Sequence, residues 1–419
     1  MTTFYFEGLP WPLRITQAPL REAARRFFAL WPHRCCDAEA GGCVEGTPGG
    51  GYVWHQGERM VREATEAAFL CSLSIEMVMA CCEQQPDLWR LHAAAVAGHG
   101  CGLLLCGTHQ AGKSVLTTRL MAGGWTGFGD DMVALTRDGL LFSFGIAPRL
   151  RLPLPPSSAL RSYVAARRGC GDRSAVYLDA AQSGTAPWGT KHAAHAVVVL
   201  RRVASGPVRL RALGPADGVT ALLQRSLFDA GQAGTTLHAA CALLERLPCV
   251  QLSYADADRA AQCLTAWARQ GLPAPAEEAA SAPHATERAP SDREDGVVQP
   301  AVCCWRRRKG PVYRQVGLAG YLSDVRGNAL YRLTPLGCAL WQMLEQPLSE
   351  AQAVALLAEA FPQAGRRRIA QDVRALFEAL RRHGLIERFF FEENKTRGGG
   401  QAYGLKSEAF QTENVLERV

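Results

Sequence analysis

The sequence predicts an α/β protein built around a phosphate-binding loop, followed by a small α+β unit with a winged-helix-like pattern. Three observations carry this. Residues 102–124, GLLLCGTHQAGKSVLTTRLMAGG, read as strand, glycine-bounded loop and helix. Residues 272–298 are rich in Ala, Pro, Ser and Glu, lack large apolar side chains and read as a linker. Beyond them, residues 312–390 spell out a hairpin, three helices and a returning strand.

The loop fits G-x-x-x-x-G-K-[ST]. Gly107, Thr108, His109, Gln110, Ala111 and Gly112 form it, Lys113 and Ser114 close it, and Val115 enters the helix. A phosphate chain needs backbone N–H groups aimed at it and a helix N-terminus beneath it. Lys113 adds a point charge for the outer phosphates, and the Ser114 hydroxyl is a Mg²⁺ ligand in such loops. The chain has five Lys against 41 Arg, and one of those five stands here. Leu103, Leu104 and Leu105 suit a buried strand. Val115, Leu116, Leu120 and Met121 have helical spacing, and Gly123-Gly124 supplies a stop. Downstream, Asp130-Asp131 offers two carboxylates, one to bind a metal and one to accept the proton of an attacking hydroxyl. A solvated turn is the plainer reading of an Asp-Asp pair, and the preceding phosphate loop reverses the preference.

Elsewhere in the first part, a helix is predicted over 61–83 and strands at 92–97, 102–106, 132–135 and 196–200. Alternation of strands and helices around the loop argues for α/β. The chain is thus divided into a mixed α/β preface (1–90), the phosphate-loop domain (91–271), the linker (272–298), a C-terminal domain (299–391) and a loose tail (392–419). Arg149 and Arg151 are candidates to stabilise charge on a transferred phosphoryl group, against a reading as exposed strand arginines. His192 and His195 read as surface residues.

Composition excludes several classes. With 48% hydrophobic and 20% charged residues, the chain is of ordinary globular composition. The segment MTTFYFEGLPWPL lacks the basic start and apolar core of a secretory signal, and no run is long and apolar enough to span a membrane. The 15 cysteines include no C-x-x-C pair and read mostly as small buried hydrophobes in a reducing cytoplasm.

In the C-terminal part, YLSDVRGNALYRL is a hairpin pattern turning at Gly327-Asn328. Thr334-Pro335 caps and opens a helix, and Ser349 with Gln352 forms a capping box for a second. Ile369, Val373, Leu376, Phe377 and Leu380 share one face of a third, which Gly384 ends before LIERFFF returns as a strand. Residues 300–391 hold 14 Lys and Arg against 7 Asp and Glu. Six arginines, Arg366, Arg367, Arg368, Arg374, Arg381 and Arg382, lie on or beside the third helix. Such a surface attracts an acidic peptide; a DNA groove is the rival partner, and a solvated face is the plain reading.

Two family resemblances sharpen these readings. Residues 91–135 resemble the core of the HPr kinase/phosphorylase family, with His92, Gly107, Gly112, Lys113, Ser114, Asp130 and Asp131 on its motif positions. The resemblance implies ATP and Mg²⁺ as cofactors, Asp130 as the base on an acceptor hydroxyl, Asp131 and Ser114 as metal ligands, and His92 near the phosphates. His109 and Gln110 depart from it, standing where the family has Ser and Gly. The family's later glycine-rich segment is not found, so phosphorolysis and HPr as the substrate are not implied. The chain looks closer to HPr-kinase-related proteins of peptide biosynthesis clusters.

Residues 329–344 and 372–387, in turn, resemble the PqqD family, the recognition element for ribosomally made peptides. That resemblance implies a precursor leader peptide as partner, added as a strand to the hairpin edge against the third helix. Together they imply a cytoplasmic kinase for a Ser or Thr hydroxyl of a precursor peptide. It would work beside other biosynthetic enzymes, as a homo-oligomer where it follows the related ring-forming kinases, without membrane or nucleic acid. The alternatives are a leader-delivering chaperone with a nucleotide-binding or degenerate loop domain, and a nucleotide-sensing DNA-binding regulator.

Overall fold

The structure is a computed structural model that describes residues 2–47, 50–275, 304–389 and 416–419. It is a mixed α/β protein with several sheets. The chain forms two compact units: Met1–Phe228 with Ala242–Glu277, and Asp229–Cys241 with Glu278–Val419. The second unit therefore takes in residues 229–241, which the sequence reading had placed in the phosphate-loop domain. Inside that unit, Gly231 and Ala233 N–H groups donate to Gly327 O at 3.1 and 3.0 Å. From residue 276 on, the linker lies outside the described residues.

In the first unit, the segment before residue 90 does not stand alone as a preface. Its aromatic core of Phe6, Phe28 and Trp31 is continuous with Phe142, Phe144 and Tyr177 from later in the chain. A six-stranded sheet with the helices Ala18–Phe27 and Glu66–Glu83 makes up this part. The second helix starts five residues later than predicted. Met60 and Val61 instead pair with Trp54 and His55 in an antiparallel ladder. Thr65 then caps the helix, its side chain accepting from Ala68 N at 3.2 Å.

The central sheet of the unit runs Thr126–Gly129, Ala94–Gly98, Cys101–Gly107, Ala196–Arg202, Cys249–Tyr254 and Arg209–Ala212. Cys101–Gly107, Ala196–Arg202 and Cys249–Tyr254 are parallel neighbours. Parallel strands are covered on both faces and so read as continuous apolar runs. Every residue of Cys101–Gly107 is buried, as is AVVVL of Ala196–Arg202 except Val199. The helices Lys113–Met121 and Ala257–Arg269 pack together, and an ion pair between Arg119 and Asp258 joins them. His195, read as a surface residue, is half-buried, and its Nδ1 accepts from Gly102 N at 3.0 Å. Six of the described cysteines are buried, fewer than predicted, and most of the others are half-buried.

In the second unit the local grammar of the sequence is reproduced. Ala319–Ser323 and Leu330–Leu333 form the hairpin. Thr334 caps Pro335–Met343 through Gly337 N. Ser349 and Gln352 make both bonds of the capping box on Glu350–Ala360. The third helix, Arg366–Arg382, buries its five predicted apolar residues and exposes the six arginines. Two small sheets flank these helices, and Ile386–Phe389 pairs with Cys304–Arg307 rather than with the hairpin. The predicted loose tail requires correction at its end. Leu416–Arg418 is a strand, held by antiparallel pairing to Leu330–Leu333; residues 392–415 lie outside the described residues. No helix among the described residues is long and apolar enough to cross a membrane.

Candidate functional site

The strand Cys101–Gly107 ends inside the sheet, and residues 108–112 turn the chain into the helix Lys113–Met121. Gly112 stands at the helix cap with φ +88°, and a Cβ there would lie 2.5 Å from Tyr254 Oη. Both the backbone angle and the crowding exclude other residues. Tyr254 Oη donates to Ala111 O at 2.7 Å and so fixes the loop from below. Gln110 adopts φ +63° although it is not glycine, and both it and His109 are exposed. His109 Nε2 accepts from Arg151 Nη1 at 3.2 Å.

Lys113 is buried, 6% exposed, with Nζ 3.2 Å from Gly107 O and 3.4 Å from Thr108 O. Burial pulls its pKa down, opposed by the charges of Asp131 and Asp130. Its ammonium thus rests on two carbonyls of the loop itself. Val115, the last loop-adjacent residue predicted to touch nucleotide, lines the same cleft while also packing on the cluster of Leu150, Leu160 and Val164.

The strand Thr126–Gly129 delivers the two carboxylates. Asp130 Oδ2 accepts from Arg149 N at 3.3 Å, while Oδ1 is fully enclosed with no hydrogen-bond partner. Burial first, and then the charge of Asp131, push the Asp130 carboxyl up to about 7, with the Ser114 hydroxyl and the Arg149 N–H opposing. Asp131, at φ +65°, turns the other way. Its Oδ1 lies 3.6 Å from His92 Nε2, and hydrogen bonding to His92 holds its carboxyl below the ordinary value against desolvation. Adjacent carboxylates pushed in opposite directions are suited to different tasks, one holding a proton and one staying ionised.

The glycine loop, Asp131 and three arginines, Arg149, Arg151 and Arg202, line a cleft of about 440 Å³. The structure therefore brings His92, Lys113, Ser114, Asp130 and Asp131 together around the loop, with the two candidate arginines in the same cleft. Buried Arg149 Nε has no hydrogen-bond partner. The sequence reading missed Arg202 and Tyr254. Arg202 ends the apolar run AVVVL at the level of the loop, and a charged pair closing a buried strand was the available signal. Tyr254 gave none, since its role depends on the parallel pairing of Ala196–Arg202 with Cys249–Tyr254.

These residues fit a bound nucleotide and its metal on their own chemistry. The loop is glycine-cradled, a buried ammonium faces it, an enclosed carboxylate oxygen lacks a partner, and the cleft walls carry positive charge.

Among solved structures, the chain is similar to the Hpr(Ser) kinase/phosphatase from Coxiella burnetii, at 13% identity and a TM-score of 0.22, over 43% of this chain and 95% of that one. No curated protein matches the chain. Residues 321–386 match the family Coenzyme PQQ synthesis protein D (PqqD), so the C-terminal unit carries a PqqD domain.

Proposed function

We propose that the protein is an ATP- and Mg²⁺-dependent kinase for a Ser or Thr hydroxyl of a precursor peptide, which its PqqD domain captures by the leader. The observation that carries the reading is the divided carboxylate pair beside a glycine loop with a buried lysine. Loop N–H groups and Lys113 bind phosphate oxygens. Ser114 and Asp131 are the residues that would hold Mg²⁺, which neutralises phosphate charge when bound. His92 keeps Asp131 ionised and oriented. Asp130, with its carboxyl near 7, takes the proton of the acceptor hydroxyl, since a general base works best with a pKa near the operating pH. Arg149, Arg151 and Arg202 supply positive charge where the transferred group would lie.

The PqqD match supports a peptide rather than a small molecule as acceptor. The basic third helix favours an acidic leader. Incubation of the full chain with ATP, Mg²⁺ and the short peptide encoded beside its gene is expected to add about 80 Da to that peptide. A peptide that binds and gains no mass overturns the kinase reading. Leader binding with no transfer, unchanged by Asp130→Asn, selects the delivery role instead.

A further inference from the structure

The strand Leu416–Arg418 forms one edge of the four-stranded sheet that contains the hairpin, and it also touches the third helix. Register sets Leu416 opposite Leu333, Glu417 opposite Arg332 and Arg418 opposite Tyr331. Val419 N donates to Leu330 O at 2.9 Å. By the alternation of an antiparallel ladder, Leu330 and Arg332 turn their backbone groups outward to this strand. Tyr331 and Leu333 turn theirs inward to Ala319–Ser323.

The side chains divide in the same way. Leu416 and Arg418 lie on the face of Leu333 and Tyr331, and Glu417 lies on the other. Leu416 is half-buried and packs on the core of the unit. On that face Tyr331 Oη lies 3.0 Å from His383 Nδ1. The charges of Arg382 and Arg418 both act on His383. Leu416 is thus a good fit to its place, whereas Arg418 brings a positive charge to a basic helix end.

We infer that residues 416–419 are a resident pseudo-ligand of the PqqD domain, occupying the groove between Leu330–Leu333 and the third helix, so that an acidic peptide binds there only by displacing them. The identity of the displacing partner rests on the reading of this domain as a peptide receptor; the occupancy does not. Exchange of one added strand for another leaves the count of backbone hydrogen bonds unchanged. Preference is then decided by side chains and by tethering, which gives the resident strand an effective concentration on the order of millimolar. A peptide with an apolar residue at the place of Leu416 and a carboxylate at the place of Arg418 keeps the packing and replaces repulsion with attraction.

The test compares the full chain with one ending at Phe410, using a fluorescein-labelled peptide of sequence QTENVLERV as the probe. The shortened chain is expected to bind it at least about tenfold more tightly than the full chain. A probe carrying Arg418→Glu binds more tightly still, and one carrying Leu416→Asp does not bind. Equal binding by both chains overturns the proposal. Within the full chain, Leu416→Asp is expected to speed amide exchange at Leu330 and Arg332 by about tenfold or more. Unchanged exchange at both amides likewise overturns it. Probe binding and amide protection without phosphate transfer to any precursor would remove the kinase reading and leave the occupied groove standing.

Discussion

Replacement of Asp130 by Asn separates the catalytic reading of this residue from its cost to the fold. Its carboxyl is moved from 3.8 to about 7 by burial and by Asp131. A folded value above the unfolded one means that the folded state holds the proton more tightly. The stabilisation is complete below about 3.8 and is lost as pH rises towards 7. At about 1.4 kcal/mol per unit, the ionised carboxylate costs the fold about 4 kcal/mol as a ceiling above pH 7. Asn is neutral at every pH, nearly isosteric, and its amide oxygen can still accept from Arg149 N. The variant is therefore expected to match the wild type in stability near pH 4 and to exceed it at about pH 9, by up to about 10 °C in melting temperature. Phosphate transfer is expected to fall by about 10²–10⁴-fold at the same time. Thermal melts across this pH range, with transfer assays on the same samples, check both. A variant less stable than wild type at pH 9, or a gap that does not change with pH, would refute the argument from burial.

The other predictions address separate links. Gln110→Gly relieves a left-handed backbone worth about 1 kcal/mol, so the denaturation midpoint rises; an unchanged or lower midpoint denies the strain. His92→Asn removes the group that holds the Asp131 carboxyl down, so that carboxyl moves up. Protons then compete with Mg²⁺ for Asp131 at a higher pH than in the wild type, read as weaker Mg²⁺ binding at about pH 5, while the acid limb of the pH–rate profile that Asp130 sets near 7 stays in place. Phe377→Ala empties a core position that is 2% exposed and is expected to cost about 3–5 kcal/mol, read by calorimetry as a lower melting temperature for the PqqD domain.

What the sequence made legible was local. Thr334, Ser349 with Gln352, and Gly384 each act within four residues, and each capped or ended its helix as read. Lys113 and Ser114 follow their glycine loop directly, and Asp130-Asp131 follow one helix and one short strand later, so the core of the site could be read from spacing. The N-terminal sheet could not. His33–Cys36 is almost wholly exposed and Gly42–Thr47 mixes Gly, Glu and Thr, so neither shows the alternation that marks a half-buried strand. Its core is completed by Phe142, Phe144 and Tyr177, which are distant in sequence. Tyr254 and the strand Leu416–Arg418 were missed for the same reason, because long-range pairing places them.

Gln110 shows the two scales in conflict. Local chemistry asks for glycine where φ is positive, and the sequence places glutamine there. Yet the loop is pinned at both ends. Lys113 Nζ bonds back to the carbonyls of Gly107 and Thr108, and Tyr254 Oη holds the carbonyl of Ala111. With its neighbours so fixed, Gln110 takes the glycine-like angle and the strain remains in one residue rather than spreading through the loop. Its exposed side chain and the bond from Arg151 to His109 then line the entrance of the cleft. The departure from the glycine pattern therefore changes what meets a ligand at the entrance more than it changes the backbone that would cradle phosphate.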